Sequence, residues 1–110
     1  MKKICKLSDI DDGTAQGFDI ELEKGTFAIV CARFGKRVFA YKNSCPHTGV
    51  NLEWLPNQFL DDTKQYFVCS THGAMFEIEN GYCITGPCQG DSLTPLVVKI
   101  EEGDIFCGIS

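Results

Sequence analysis

Both histidines of this chain lie close to a cysteine, and this arrangement constrains the fold more than any other feature of the sequence. The two segments are Cys45-Pro46-His47 and Cys69-Ser70-Thr71-His72. Thiolate sulfur and imidazole nitrogen are common metal ligands, so two short segments with one of each can supply four ligands to one site. Because residues 48–68 separate the two segments, the fold has to bring two loops together. The sequence therefore predicts a metal centre held by Cys45, His47, Cys69 and His72.

Two kinds of metal centre are compatible with two sulfur and two nitrogen ligands. A tetrahedral zinc ion accepts this set, and a structural zinc-binding module is one alternative. In the common zinc finger, however, the cysteines come together on a hairpin and the histidines come together on a helix. Here each segment contributes one of each residue type, and no helical pattern is present. This arrangement favours an asymmetric metal cluster over zinc.

The pattern along the chain is typical of an all-β domain. Short runs of β-branched and aromatic residues alternate with turn signals, and no window repeats apolar residues at helical spacing. Three hairpins are predicted, with strands at 26–32 and 37–41, at 74–78 and 82–84, and at 96–100 and 104–107. Their turns lie at Gly35, at Asn80-Gly81 and at Glu102-Gly103. The Asn-Gly pair favours a type I′ turn, since both of its central residues need a positive φ.

The 110 residues suit one domain, which divides into a β scaffold and an inserted site. Residues 43–86 contain both histidines and the only tryptophan, and they have fewer strand-like runs than their flanks. We therefore predict a base formed by residues 1–42 and 87–110, with a cluster-binding subdomain at 43–86. No repeats or linker-like segments interrupt this organisation.

Charge and composition exclude several classes of partner. The net charge of −5 and the pI near 4.8 disfavour nucleic acid, because a phosphate backbone would be repelled. The first eight residues are followed by Asp9-Ile10-Asp11-Asp12 rather than an apolar run, so we expect no signal peptide, no membrane anchor and a cytoplasmic location. Seven cysteines in such a chain indicate reduced thiols, used as metal ligands or core residues.

With these residues in place, the chain resembles the Rieske family, whose two ligand loops have the patterns Cys-x-His and Cys-x-x-His. Further matches are Pro46, Leu52, Gly73 and the pair Gly86-Pro87. The resemblance implies a Rieske fold, with an antiparallel β-sandwich or barrel base and an inserted cluster-binding subdomain. It also implies one [2Fe–2S] cluster per chain, with Cys45 and Cys69 on one iron and His47 and His72 on the other.

The departures from the high-potential members of that family concern four positions. Those members carry a disulfide between the two ligand loops, where this chain has Val50 and Thr71. They also place hydroxyl donors after the second histidine, where this chain has Ala74 and Phe76. Fewer hydrogen bonds to the cluster sulfurs stabilise the reduced state less. The expected reduction potential is therefore near the low end of the Rieske range, about −150 mV.

The resemblance implies an electron carrier rather than an enzyme. A substrate-activating iron commonly needs two histidines and a carboxylate, and His47 and His72 are already used as cluster ligands. The expected function is a monomeric one-electron carrier between a flavin-type ferredoxin reductase and a terminal oxygenase. The alternative within the same fold is the small subunit of a nitrite-reductase-like complex.

The remaining notable residues have structural interpretations. Trp54, Phe59 and Leu60 are expected to form a small core under the long loop rather than a partner contact. The pair Asp61-Asp62 is typical of a solvated turn. The cysteines outside the ligand motifs are expected to be small buried residues: Cys5, Cys31, Cys83, Cys88 and Cys107.

Overall fold

A computed structural model describes residues 2–22, 25–44, 52, 59–69, 73–86 and 90–108. Within these residues the chain forms nine strands and one short 3₁₀ turn, without an α-helix, so the predicted all-β class is confirmed. The strands are β1 (Lys2–Lys6), β2 (Thr14–Leu22), β3 (Gly25–Phe34), β4 (Arg37–Lys42), β5 (Tyr66–Val68), β6 (Met75–Glu77), β7 (Cys83–Thr85), β8 (Val97–Glu101) and β9 (Asp104–Gly108). The 3₁₀ turn spans Leu7–Asp9.

The nine strands form three antiparallel sheets of three strands each. The central sheet has the order β2-β3-β4, the terminal sheet β1-β9-β8 and the site sheet β5-β6-β7. Both chain ends of the described region meet in the terminal sheet, where Lys2 lies opposite Cys107. The connection from β4 to β8 contains the whole site sheet and all four predicted metal ligands.

Strand β3 is buried on both faces, which explains its continuous apolar sequence. Ile29, Val30, Cys31 and Ala32 all have 0% exposure. Successive side chains of a strand point to opposite faces, so Val30 and Ala32 enter one core while Ile29 and Cys31 enter another. A strand with both faces covered needs no polar alternation. The central sheet therefore lies between two hydrophobic cores.

These two cores are named here by their position relative to the predicted ligands. The site core comprises Ala15, Val30, Ala32, Tyr41, Leu52, Phe59, Phe67, Cys69, Ala74, Phe76, Ile78, Cys83 and Leu93. The base core comprises Ile10, Ile20, Ile29, Cys31, Ala40, Leu96, Ile105 and Cys107.

All three predicted hairpins are present, but the turn geometry differs from the expectation at one of them. Strands β3 and β4, β6 and β7, and β8 and β9 pair antiparallel as predicted. Asn80 does not have a positive φ, so the predicted type I′ turn at Asn80-Gly81 is wrong. The Asn80 side chain instead accepts a hydrogen bond from the backbone N–H of Tyr82. Positive φ at both central residues occurs at Glu102 (+51°) and Gly103 (+80°).

Strand β2 is the longest element that sequence reasoning missed. It pairs with β3 in unbroken register from Thr14 opposite Arg33 to Leu22 opposite Gly25. Its sequence contains Gly17, Asp19 and Glu21, which are depleted in strands, and within residues 14–21 only Ala15 and Ile20 are buried. The long partner strand β3 stabilises this conformation despite the weak local preference. No helix among the described residues is long and apolar enough to cross a bilayer.

Candidate metal centre

Cys69 is the one predicted ligand that lies among the described residues. It follows directly after β5, has 0% exposure and belongs to the site core. Cys45, His47 and His72 lie outside the described residues, as does Cys88. Within the described ranges, no group of three or more cysteine, histidine or acidic residues is arranged to hold a metal. The described residues around the two ligand segments nevertheless show how the fold closes both loops.

The second ligand loop is closed at its base by two backbone hydrogen bonds. The N–H of Cys69 donates to the carbonyl of Ala74 at 2.9 Å, and the N–H of Gly73 donates to the carbonyl of Cys69 at 2.7 Å. Gly73 has a φ of +69°, which glycine adopts without the steric cost of a Cβ atom. Cys69 and Gly73, which flank residues 70–72 in the sequence, are therefore held together by these hydrogen bonds.

The first ligand loop is closed by a side chain. The Oδ1 atom of Asn43 accepts a hydrogen bond of 2.8 Å from the backbone N–H of Leu52. The backbone N–H of Asn43 itself donates to the carbonyl of Ala28 at 2.9 Å, which extends the pairing of β4 with β3 by one residue. Asn43 and Leu52, which flank the segment with Cys45 and His47 in the sequence, therefore lie together beside the central sheet.

A close backbone approach joins the second ligand loop to the segment that begins at Gly86. A Cβ atom placed on Gly86 would lie 2.7 Å from the Cα atom and 2.9 Å from the Cβ atom of Ala74. These distances are too short for a real side chain, so only glycine fits there. Gly86 also has a φ of +103°. Ala74 has 0% exposure, and its small methyl group makes this approach possible.

Tyr41 connects the central sheet with the site sheet. Its hydroxyl donates a hydrogen bond of 2.6 Å to the carbonyl of Ile78, just after β6. Its ring meets the ring of Phe67 edge to face, with centroids 5.6 Å apart. Burial raises the pKa of Tyr41 to about 12. Sequence reasoning placed Tyr41 in a strand but found no signal for this contact, because Tyr41 and Ile78 are far apart in the chain.

Two residues after the second ligand loop carry no hydroxyl group. Ala74 and Phe76 are both completely buried, and neither side chain carries a hydrogen-bond donor. Gly73 and Ala74 are also small, so the backbone there can approach a bound group closely. The predicted donor set of two thiols and two imidazoles fits a [2Fe–2S] cluster of the Rieske type. One of these thiols, Cys69, is completely buried at the base of the second ligand loop.

The segment before Cys69 combines a buried core with a solvated turn, as predicted. Phe59 is completely buried, Leu60 packs against the site core, and the pair is fixed by an antiparallel bridge from Leu60 to Phe67. Asp61 accepts hydrogen bonds from the Thr63 hydroxyl and from backbone N–H groups, which lower the pKa of its carboxyl. Trp54 lies outside the described residues.

The cysteines outside the ligand motifs also follow the prediction in part. Cys31, Cys83 and Cys107 are completely buried, whereas Cys5 is only partly buried. Burial raises the pKa of the Cys5 thiol to about 11.

Comparison with known proteins extends over almost the whole chain. Residues 1–107 match the profile of the family described as "Rieske [2Fe-2S] domain". Among solved structures, the ferredoxin of carbazole 1,9a-dioxygenase from Nocardioides aromaticivorans IC177 is similar with a TM-score of 0.78 and 18% identity, covering 100% of both chains. A ferredoxin from Sphingomonas yanoikuyae B1 has a TM-score of 0.73 and 23% identity, covering 98% of this chain and 97% of its own. At these identities the likeness shows the fold.

A third similar structure is part of a larger protein. A 2-oxoquinoline 8-monooxygenase component has a TM-score of 0.75 and 27% identity, with 97% of this chain covered but only 25% of the component. Among curated proteins, no sequence matches this chain.

Proposed function

The chain belongs to the Rieske [2Fe–2S] domain family, and from that membership we propose that it is a ferredoxin which passes single electrons from a flavin-type reductase to a terminal oxygenase. It contains one [2Fe–2S] cluster, and it is an electron-transfer protein rather than an enzyme. Family membership decides between the iron–sulfur and zinc alternatives in favour of the cluster. The reductase, the monomeric state and a cytoplasmic location are parts of the proposal.

The proposed ligands are the four residues of the two loops. Cys45 and Cys69 would bind one iron through thiolates, and His47 and His72 would bind the other through imidazole nitrogens. When bound, the cluster accepts and releases one electron. Since neutral imidazoles add no charge, this ligand set keeps the oxidised centre formally neutral and makes reduction easier than four thiolates would. The proposed cluster-binding subdomain is the segment 43–86.

The observation that supports a carrier is the end-to-end likeness to separate ferredoxins. The Nocardioides ferredoxin is matched over its entire length, whereas the monooxygenase component is matched over a quarter of its length. Another similar structure is titled as a complex of reduced oxygenase and oxidized ferredoxin in carbazole 1,9a-dioxygenase, and 99% of the matched chain is covered. In that structure a ferredoxin of similar fold forms a complex with an oxygenase, which supports the same type of partner here.

The reduction potential is expected to be about −150 mV, near the lower limit for Rieske centres. Ala74 and Phe76 provide no hydroxyl to the region after the second ligand loop, so the reduced cluster gains little from hydrogen bonds there. A redox titration followed by absorption or electron paramagnetic resonance measures this value. A clearly positive potential would contradict the expectation.

A reconstituted hydroxylation assay tests the proposed role. Candidate flavin reductases and terminal oxygenases are combined with wild-type protein, with His72→Cys, or without the protein. Wild type should be required for turnover. His72→Cys should reduce it strongly, because a third thiolate adds negative charge and disfavours electron uptake. Turnover that is equal without the protein would refute the carrier role. Stable co-purification with a reductase complex would instead indicate the stationary nitrite-reductase-like subunit.

A further inference from the structure

Asn43 is the buried polar side chain of the described residues, with 6% exposure. It lies directly after β4, at the edge of the central sheet where the chain leaves for the first ligand loop. Every buried side-chain nitrogen or oxygen within the described part of the chain has a hydrogen-bond partner. A buried amide at this point, where the cores are otherwise apolar, indicates a specific structural task.

The hydrogen bonds of Asn43 show what that task is. Its backbone N–H is held by Ala28 of β3 at 2.9 Å, so its Cα position is fixed by the central sheet. Its Oδ1 atom accepts the N–H of Leu52 at 2.8 Å, nine residues further along. Leu52 has 0% exposure and is part of the site core, so this N–H has no access to bulk water. Without the Asn43 oxygen, a buried donor would lose its partner.

At the second ligand loop, the contacts between described residues that join its two ends are backbone hydrogen bonds from Cys69 to Ala74 and from Gly73 to Cys69. The first ligand loop has a longer span between its two fixed ends, and the side chain of Asn43 closes it. Closing a loop in advance lowers the entropy lost when its ligands are fixed around a metal.

We propose that Asn43 is a positioning residue for the cluster: by joining the two ends of residues 44–51 on the central sheet, it holds Cys45 and His47 where they meet the ligands of the second loop. This inference rests on the proposed assignment of Cys45 and His47 as ligands. The described contact through which Asn43 would act is its hydrogen bond with Leu52. Its loss should release the cluster without an equal loss of global stability.

The test compares the rate of cluster release with the free energy of unfolding. Release is followed as the decay of visible absorption in excess iron chelator, on the purified holoprotein. Asn43→Ala should accelerate release about tenfold, the factor for one lost buried hydrogen bond. The matched control is Ile105→Val, which removes a methylene from the base core and destabilises the fold without touching either ligand loop. Equal acceleration by the two variants would overturn the proposal.

Asn43→Asp keeps the accepting oxygen and covers the case in which Asn43→Ala does not fold. Its release rate should stay within about twofold of wild type, because a carboxylate oxygen also accepts from Leu52. Release as fast as in a ligand variant would count against positioning by this oxygen.

The ligand assignment is checked separately with Cys45→Ser. Loss of the cluster in Cys45→Ser, together with wild-type release in Asn43→Ala, would refute the positioning role alone. A cluster retained unchanged in Cys45→Ser would refute the ligand assignment, and the inference about Asn43 with it.

Discussion

The two cores on either side of the central sheet both contain buried cysteines, and these cysteines have different surroundings. The base core contains the buried thiols Cys31 and Cys107, while the site core contains Cys69 at the start of a ligand loop. Hydrogen bonding to Cys107 and burial raise the pKa of Cys31 well above its usual range, so this thiol stays protonated at neutral pH. Cys69 is equally buried, but it is placed at the end of a strand next to a tight turn.

The two sides also differ in how their strands are held. The central sheet pairs β2 with β3 over nine residues, whereas each strand of the site sheet has three residues. Short strands form few hydrogen bonds, so we expect the site sheet to depend on aromatic packing and on the proposed metal centre. We therefore expect the base to remain folded by its own burial, whereas the site side needs the metal centre and contacts such as Tyr41.

Removal of a proposed cluster ligand should have the largest effect on this comparison. Cys69→Ala should abolish cluster binding, since one of the four proposed ligands is gone, and should unfold the site sheet. The central and terminal sheets should remain, because the base core is unchanged. Amide hydrogen exchange measures this as protection lost from β5, β6 and β7 but retained in β3 and β9. Uniform loss of protection through all three sheets would show that the base has no independent stability.

Truncation of Phe76 should be the next largest effect. Phe76 is completely buried in the site core and pairs with both neighbouring strands of the site sheet. Phe76→Ala should lower the free energy of unfolding by about 3–5 kcal/mol, while Ile105→Val in the base core should cost about 0.5–1.5 kcal/mol. Denaturant unfolding of the holoproteins gives both values. A smaller cost for Phe76→Ala than for Ile105→Val would contradict the importance of aromatic packing on the site side.

Two glycines with nearly the same φ provide a sharper comparison. Gly86 and Gly90 have φ values of +103° and +100°, but a Cβ on Gly90 meets no described residue within 4 Å. Gly90→Ala should therefore cost only conformational strain, about 1–2 kcal/mol. Gly86→Ala should cost about 1–3 kcal/mol more, because its methyl group overlaps Ala74. Thermal unfolding compares the pair, and equal shifts would show that the approach to Ala74 is not tight.

The smallest effect concerns the alkaline limit of stability. Tyr41 has a pKa of about 12 in the folded chain against 10.0 for the free side chain, so the folded state binds more protons between these values. Its contribution is fully present below pH 10 and is lost as the pH rises toward 12. Tyr41→Phe should lower stability at neutral pH by about 1–2 kcal/mol and flatten this loss. Unfolding measured between pH 9 and 12 checks it; an unchanged slope would contradict the assignment. The Cys5 thiol, whose pKa is raised from 9.0 to about 11, contributes over a lower pH range in both wild type and Tyr41→Phe.

The sequence by itself determined the features that depend on near neighbours. The three hairpins follow from apolar runs and from glycines such as Gly35 and Gly103, because a tight turn and its two strands lie within about fifteen residues. The two Cys/His segments indicated the family for the same reason, since each motif is read within a few residues. The buried Phe59 and the solvated Asp61 were also predictable from residue type.

The tertiary structure decided the features that join distant parts of the chain. Strand β2 has little local preference for its conformation and is formed by pairing with β3. Three contacts join residues that are well separated in the sequence, and no local pattern predicts them. They are those of Tyr41 with Ile78, of Asn43 with Leu52 and of Gly86 with Ala74. A hydrogen bond or close approach of this kind exists only when both partners are already placed, and the fold alone places them.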